Sequence, residues 1–310
     1  MISVVIPIYK SRITLVKLVE EIKNELNAIG EHYEIILVDD GCPENSWFEI
    51  VGLAQHDKAI KSILLSRNFG QHPAIFAGLE KAAGEWVVVM DADFQDNPKY
   101  ISALYEKALN GFEIVFAKRM ARKDARLKQL TSKLFYWLLS FFTQNKFDSS
   151  IGNFGIYHKK VIQSVLLMQE PFKIFTLMVR WVGYRTTSIE VDHGERRSGK
   201  SAYTFKKLVA LGGNVLLFYS VRPIQFTVWL GFMISFSSFV MIIYHFYKYI
   251  THQIEVLGYT SIVLSILFFG GLIIAVLGLI GLYVGKILQT TLNRPVYLIS
   301  EVLNIEKPNS

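Results

Sequence analysis

The chain has 310 residues, of which 51% are hydrophobic, and a mean hydropathy of +0.31. This composition excludes a disordered chain and is too apolar for an ordinary soluble protein. Lysine and arginine outnumber aspartate and glutamate by 33 to 26, and the net charge of +7 favours anionic partners such as nucleotides or acidic lipid headgroups. The one cysteine, Cys42, excludes an internal disulfide and a four-cysteine zinc site. Nothing beyond net charge indicates nucleic-acid binding.

Short apolar runs rich in β-branched residues alternate with segments of helical periodicity in the first 90 residues. This alternation predicts an α/β fold with a mostly parallel sheet that helices cover on both faces. The predicted strands are Ile2–Ile8, Glu34–Val38, Ile60–Leu65 and Trp86–Met90, and the predicted helices are a segment from Leu15 to Ile29, Glu44–Gln55 and Pro73–Ala83.

Acidic residues follow two of these predicted strands. Asp39 and Asp40 end the second strand, and the segment DADFQD at 91–96 follows the fourth. Ligands of parallel sheets bind beyond the carboxyl ends of the strands, where Asp91 and Asp93 could together hold a divalent cation that bridges a diphosphate. An EF-hand is excluded, because its required Gly and final Glu are replaced here by Asp96 and Ser102. Asp40 and Asp96, taken alone, are equally consistent with solvated turn residues.

Two long segments, Pro223–Tyr247 and Val256–Gly285, contain no charged residue. About 20 helical residues cross the ~30 Å hydrocarbon core, so we expect a hairpin of two transmembrane helices at about 223–247 and 258–284. Basic residues on both outer flanks favour a cytoplasmic location for both ends. The expected domains are 1–202 (a cytoplasmic α/β domain), 203–222 (an interfacial helix), 223–285 (the hairpin) and 286–310 (a cytoplasmic tail). The segment 124–147 fits a second membrane-dipping helix or a core helix equally well.

Several motifs together resemble those of the family-2 glycosyltransferases of GT-A fold. They are SVVIPIY (3–9), ILVDDG (36–41), SRNFG (66–70), AGL (77–79), DADFQD (91–96), FEIVFAKR (112–119), HGERRSGKSAY (193–203) and FYSVRP (218–223). Within that family, the chain is most similar to the polyprenyl-phosphate glycosyltransferases, the group of the bactoprenol glucosyltransferases and dolichol-phosphate mannose synthases. The resemblance covers nearly the whole chain.

The resemblance implies a nucleotide-diphosphate sugar donor, a UDP-sugar above all, an undecaprenyl phosphate acceptor, an Mg²⁺ or Mn²⁺ ion and membrane lipid around the hairpin. It implies a multi-pass protein of the bacterial cytoplasmic membrane and is compatible with a homo-tetramer. The implied donor-binding residues are Pro7, Tyr9, Asp39, Asp40, Gly70, Asp91 and Ala92; the implied metal ligands are Asp91, Asp93 and Gln95; the implied phosphate-binding residues are Arg119, Arg197, Lys200 and Ser201; and the implied catalytic residues are Asp93, Arg119 and Asn153.

The chain departs from the family pattern where many members have Gly-Asp-Phe-Arg, because GNFG stands here at 152–155. An amide, Asn153, therefore replaces a carboxylate that could serve as a base. The second pKa of a phosphate monoester is about 6, so the acceptor oxygen is mostly deprotonated at neutral pH and needs little help from a base. We expect Asn153 to influence which sugar or acceptor fits.

Three other functions fit the sequence less well. Residues 194–201 match the P-loop pattern of nucleoside triphosphatases. Only predicted membrane segments follow them, so no further sheet is expected that could supply the second metal-binding aspartate of such an enzyme. A processive polysaccharide synthase would carry Gln-x-x-Arg-Trp, whereas this chain has LMVRW at 177–181. A nonenzymatic membrane scaffold would not need carboxylates at the ends of two strands.

Overall fold

The computed structural model describes residues 1–119, 150–170, 173–192, 222–251 and 259–305, which divide into two compact units. The first unit holds the described residues up to 192 together with 295–305, and the second holds 222–251 and 259–294. Among the predicted segments, the interfacial helix at 203–222, apart from its last residue, and the helix within 124–147 lie outside the described residues, as do Arg197, Lys200 and Ser201.

The first unit is built around an eight-stranded sheet in the order β7-β5-β6-β4-β1-β2-β3-β8. Its strands are β1 (Ile2–Ile8), β2 (Tyr33–Asp39), β3 (Ile60–Leu65), β4 (Trp86–Val89), β5 (Ile114–Arg119), β6 (Ile151–His158), β7 (Thr186–Val191) and β8 (Ile299–Leu303). Strands β1 to β4 pair in parallel, as do β5 and β7, whereas β6 and β8 are antiparallel to their neighbours. The predicted α/β fold with a mostly parallel sheet is therefore confirmed.

Helices cover both faces of the sheet, and each face has its own apolar core. The helices are α1 (Arg12–Ile29), α2 (Ser46–His56), α3 (Gln71–Leu79), α4 (Tyr100–Leu109), α5 (Lys159–Leu166) and α6 (Phe175–Trp181). Buried side chains of α1, α2 and α4 form one core, and those of α3, α5 and α6 form the other. On α1 the buried positions are Leu15, Leu18, Val19, Ile22 and Leu26, which is the spacing that places side chains on one face of a helix.

Helix α3 ends at Leu79, before the predicted end at Ala83. The backbone N–H of Ala83 donates to the buried carboxylate of Glu34 at 2.7 Å, and that of Gly84 donates to the Ser3 hydroxyl at 2.8 Å. These side-chain acceptors lie on neighbouring strands, so they capture the backbone donors that would otherwise have continued the helix.

The segment expected as a tail, 286–310, supplies the edge strand β8, which runs antiparallel to β3. Just beyond it, the Asn304 side chain donates hydrogen bonds to the carbonyl oxygens of Ala54 at 2.7 Å and Ile60 at 2.9 Å. Val302 packs against one core and Leu303 against the other. The end of the described chain is thus an integral part of the sheet.

The second unit contains two long helices, α7 (Arg222–Ile250) and α8 (Tyr259–Thr291). Among the described residues, one helical segment, Phe268–Leu288, is long and apolar enough to cross a membrane. Its mean hydropathy is 2.3, and its most apolar part has no buried residue. The predicted segments 223–247 and 258–284 are almost entirely helical, as expected. Only the second of them overlaps the segment that is long and apolar enough to cross a membrane.

A charged cluster joins β5, α5 and β7 on the side of the sheet away from the acidic loops. The Glu113 carboxylate accepts hydrogen bonds from the Lys160 ammonium at 3.0 Å, the Arg185 guanidinium at 3.2 Å and the Arg185 backbone N–H at 2.9 Å. The bonds to Lys160 and Arg185 lower the pKa of Glu113 from its ordinary 4.5 to about 2.

Replacing Glu113 with glutamine is expected to lower the free energy of unfolding by about 1–3 kcal/mol at pH 7, because charge-assisted hydrogen bonds are lost. The folded-state pKa is depressed, so the contribution is complete above about pH 4.5 and disappears as pH falls toward 2. In thermal unfolding of the purified protein, the difference in unfolding temperature between wild type and variant should become smaller from pH 5 to pH 3. The exposed Glu106→Gln on α4 is the control; a gap that is constant with pH, or an equal effect in the control, contradicts the prediction.

Candidate active site

The carboxyl ends of β1, β2 and β4 lie at one edge of the sheet, because these three strands are adjacent and parallel. β1 ends at Ile8 and is followed by Tyr9, β2 ends at Asp39 and is followed by Asp40, and Asp91 follows two residues after β4. The fold therefore brings the two acidic segments predicted from the sequence to the same edge.

The loop after β2 is hydrogen-bonded to the loop after β3 through Asp40. Both oxygens of Asp40 accept backbone hydrogen bonds, one from Phe69 at 2.7 Å and one from Gly70 at 2.9 Å. Gly41 between the two loops has φ +61°, and a Cβ there would lie 2.6 Å from the Arg67 carbonyl carbon. Asp40 and Gly70, both predicted to bind the donor, thus join the loops after β2 and β3 to each other, and only glycine fits between them.

Asp39 is buried but has one oxygen without a bond inside the described part of the chain. Its Oδ1 accepts from the Cys42 backbone N–H at 2.7 Å, whereas no described residue bonds Oδ2. Burial raises the pKa of Asp39, and the hydrogen bond from Cys42 opposes that rise. A buried acceptor of this kind is suited to a ligand N–H or O–H group, since an unbonded buried oxygen is costly.

Beside Asp39, Pro7 is buried within β1, whereas Tyr9 is 44% exposed. The Lys10 ammonium lies 5.5 Å from the centre of the Tyr9 ring. Tyr9 therefore presents an aromatic face at the same strand edge, a surface on which a planar base can stack.

The loop after β4 is organised around Asp91. Its Oδ1 accepts a hydrogen bond from the Gln71 amide at 2.6 Å, and its backbone N–H donates to Asp96 Oδ2 at 3.0 Å. Burial, followed by the nearby charges of Asp96 and Asp93, raises the pKa of Asp91. Such a concentration of carboxylates in a partly buried place favours the arrival of a positive charge.

The remaining residues of this loop shape a tight turn. Asp93 Oδ1 accepts from the Gln95 backbone N–H at 3.1 Å, and Phe94 is buried with φ +61°. Ala92 is buried as well, with its carbonyl oxygen 3.5 Å from the Thr14 hydroxyl. The predicted metal ligands Asp91, Asp93 and Gln95 therefore lie on one turn of the chain.

Arg119, at the end of β5, reaches this loop from the far side of β6. Its Nη2 donates to Asp96 Oδ1 at 3.1 Å, and a Cβ at Gly152 would lie 3.3 Å from the same nitrogen. The backbone carbonyl of Asn153 accepts from the buried Tyr157 hydroxyl at 2.9 Å, which fixes the main chain at that position. The structure thus brings Arg119 to the acidic loop and to Gly152, which adjoins Asn153.

The oxygen donors of this loop fit a hard divalent cation such as Mg²⁺ or Mn²⁺. Among the described residues, no group of three His, Cys, Asp or Glu side chains is arranged so that it could hold a metal ion. Two carboxylates and the Gln95 amide leave positions for water and phosphate oxygens, which is the usual arrangement for a cation that bridges a diphosphate.

Sequence reasoning missed two residues here. The sequence left Asp96 equally consistent with a solvated turn residue, whereas it is buried and bonds both Asp91 and Arg119. Gln71 was not predicted, because an amide at the first position of a helix carries no local pattern; its proximity to Asp91 depends on the packing of α3 against β1 and β2. The spacing of Asp96 from Asp91 within one short loop was the sequence feature that could have identified it.

Comparison with known proteins identifies the family. Residues 3–168, more than half of the chain, match the model of glycosyl transferase family 2. The undecaprenyl-phosphate 4-deoxy-4-formamido-L-arabinose transferase of Proteus mirabilis is 31% identical over 99% of this chain and 95% of its own. The prophage-derived bactoprenol glucosyl transferase of Shigella flexneri is 30% identical over 97% of each chain. A mycobacterial protein of known crystal structure shares the fold with a TM-score of 0.50 and 17% identity, over 70% of this chain and 72% of its own.

These matches confirm the GT-A-like fold and the glycosyltransferase activity that the motifs implied. The family match covers all the elements that carry the acidic loops, Arg119 and Asn153. The chain is therefore a member of glycosyl transferase family 2.

Proposed function

We propose that this glycosyltransferase moves one sugar from a nucleotide-diphosphate sugar to undecaprenyl phosphate or a similar polyprenyl phosphate. The observation that carries the proposal is the Asp91–Asp93 turn beside Arg119, in a chain whose relatives over nearly their whole length include a bactoprenol and an undecaprenyl-phosphate transferase. The product is a polyprenyl-phosphate sugar, which would serve modification of the cell envelope.

The donor nucleotide occupies the edge formed by β1 and β2. The Tyr9 ring stacks on the base, and the unbonded oxygen of Asp39 accepts a hydrogen bond from the base or ribose. Pro7 supports this surface from within β1, and a UDP-sugar is the preferred donor of the proposal.

The diphosphate lies across the DADFQD turn. Asp91, Asp93 and Gln95 hold Mg²⁺ or Mn²⁺, which when bound neutralises the charge that develops on the leaving diphosphate. Arg119 supplies a guanidinium, whose planar fork matches phosphate oxygens. Arg197, Lys200 and Ser201, beyond the described residues, are proposed as further phosphate contacts.

The acceptor phosphate needs orientation more than it needs a base. Its second pKa is about 6, so its oxygen is already anionic at neutral pH. That oxygen attacks the anomeric carbon directly as the bond from this carbon to the diphosphate breaks, so configuration inverts. The amide of Asn153 orients the sugar or the acceptor phosphate, because it adjoins the Gly152 position over which Arg119 lies.

Chain connectivity supports a two-helix membrane hairpin. The chain leaves the sheet before α7 and rejoins it at β8 after α8, so any passage through a bilayer involves an even number of crossings. α8 contains the span-length apolar segment, and on α7 Phe226, Trp229 and Met233 are each about two-thirds exposed. Side chains of this kind need an apolar environment, which lipid provides.

The orientation follows from the basic residues at the outer ends of the two helices. Arg222 begins α7, Lys286 lies within the C-terminal part of α8, which ends at Thr291, and Arg294 lies just after that helix. The positive-inside tendency places these ends, and with them the catalytic unit, in the cytoplasm of a bacterium. Assembly as a homo-tetramer is part of the same proposal.

The decisive test is an assay with membranes that contain this protein, undecaprenyl phosphate and labelled UDP-, GDP- and dTDP-sugars. We expect label from one donor to enter the organic phase, and expect EDTA to abolish that transfer and Mn²⁺ to restore it. Membranes with an Asp93→Ala variant are the control. Label that enters protein or polymer and never lipid contradicts the proposal.

A further inference from the structure

One buried carboxylate connects the two halves of the site. Asp96 lies five residues after Asp91; its Oδ2 accepts the Asp91 backbone N–H at 3.0 Å and its Oδ1 accepts from Arg119 Nη2 at 3.1 Å. Asp91 follows β4 and Arg119 ends β5, and these strands are separated in the sheet by β6. Asp96 therefore joins two chain segments that the sheet itself does not pair.

The shape of the turn places Asp96 in this position. Phe94 is buried with a left-handed backbone, and the Asp93 carboxylate bonds the Gln95 backbone N–H, so the chain reverses between Asp91 and Asp96. The Asp96 side chain is 2% exposed, whereas that of Arg119 is 30% exposed. The carboxylate is enclosed by protein, and the guanidinium it bonds remains accessible from the site.

Each carboxylate oxygen of Asp96 already accepts a hydrogen bond from the protein. Asp96 is therefore better placed to hold other residues than to bind a cation. A guanidinium has five N–H donors, so Arg119 can hold Asp96 and a phosphate at the same time. An arginine that is already fixed loses less freedom when it binds a phosphate than one that moves freely in solvent.

We infer that Asp96 is a positioning residue: it orients Arg119 toward the cation turn, so that the arginine and the cation act on the same diphosphate. This inference rests on the proposed function. It makes Asp96 necessary for donor binding, although it touches neither the donor nor the cation.

The test is a double-mutant cycle on nucleotide binding by the purified full-length protein in detergent. UDP binding with saturating Mn²⁺ is measured by calorimetry for wild type, Asp96→Asn, Arg119→Ala and the double variant; GDP or dTDP replaces UDP if wild type binds that instead. Asparagine keeps the size of Asp96 and an acceptor for Asp91 but removes the charge that holds Arg119. We expect Asp96→Asn to weaken UDP binding about tenfold in the wild-type background and less than about twofold in the Arg119→Ala background.

A matched control is Asp57→Asn. Asp57 also accepts one backbone N–H, from Ala59 at 2.9 Å, and one ammonium, from Lys23 at 2.6 Å, but it lies after α2 at the opposite end of the sheet. We expect this variant to lower the unfolding temperature without changing UDP binding. Gly152→Ala is the second variant, because its Cβ would lie 3.3 Å from Arg119 Nη2, close enough to shift the guanidinium by a few tenths of an ångström while Asp96 stays intact; we expect it to weaken UDP binding less than Asp96→Asn does.

Equal losses from Asp96→Asn in both Arg119 backgrounds overturn the inference, as does unchanged UDP binding when Asp96→Asn is made in the wild-type background. A wild type that binds UDP and Mn²⁺ but labels no lipid overturns the proposed acceptor, and the cycle still decides the role of Asp96. A wild type that binds no nucleotide diphosphate overturns both.

Discussion

Replacing Asp91 with asparagine is expected to lower the rate of sugar transfer by about 10³-fold, the upper end of the effect of removing one electrostatic contact to a transition state. Asparagine has the shape of aspartate and can still accept the hydrogen bond from Gln71, so the turn should keep its fold. What is lost is the negative charge with which Asp91 and Asp93 together would hold a divalent cation. The measurement is the initial rate of label transfer to undecaprenyl phosphate at saturating Mn²⁺.

The control for this experiment is Asp57→Asn, which removes a paired carboxylate from the same domain far from the acidic turn. Its transfer rate should stay within about twofold of wild type, because effects at distant sites are independent. An Asp91→Asn protein that melts like wild type and keeps a tenth of the activity would show that the charge of Asp91 is not needed for catalysis.

Truncation of the chain after Arg294, which removes β8, is expected to cost at least about 4 kcal/mol of folding free energy, a large part of the 5–15 kcal/mol typical of a domain. The loss combines the hydrogen bonds between β3 and β8, the Asn304 contacts to Ala54 and Ile60, and the packing of Val302 and Leu303. It also exposes the edge of β3, which invites pairing with other chains.

Thermal unfolding and the fraction of protein that stays monodisperse in detergent are the measurements for this truncation. Glu301→Ala is the control, because the Glu301 side chain is exposed while its backbone still pairs with Leu64. A truncated protein with the unfolding temperature of wild type would mean that β8 adds nothing to the stability of the sheet.

The parts of the fold that could be predicted from the sequence are those that depend on local patterns of apolar and polar residues. β1 and β3 have the predicted bounds, because short, mainly apolar runs between helical segments are characteristic of buried parallel strands. The same alternation placed Asp39 and Asp91 at strand ends, and the structure brings both to one edge of the sheet. Their roles in binding remain predictions.

The elements that sequence reasoning missed depend on partners far away in the chain. β8 is a short strand that follows a membrane-like helix, and its pairing with β3 joins residues more than 230 positions apart, which no local period reveals. Asn304 resembles an ordinary turn residue until Ala54 and Ile60 are brought beside it. The sequence likewise left the role of Asp96 open, since its bond to Arg119 joins residues 23 positions apart.

The place of β8 in the sheet has a consequence for biosynthesis. A ribosome makes β3 early and β8 only after α7 and α8, so the outer edge of β3 is without its native neighbour throughout the translation of both apolar helices. Completion of this sheet must therefore wait until those helices have been made, so β8 pairs with β3 late in the folding of the nascent chain.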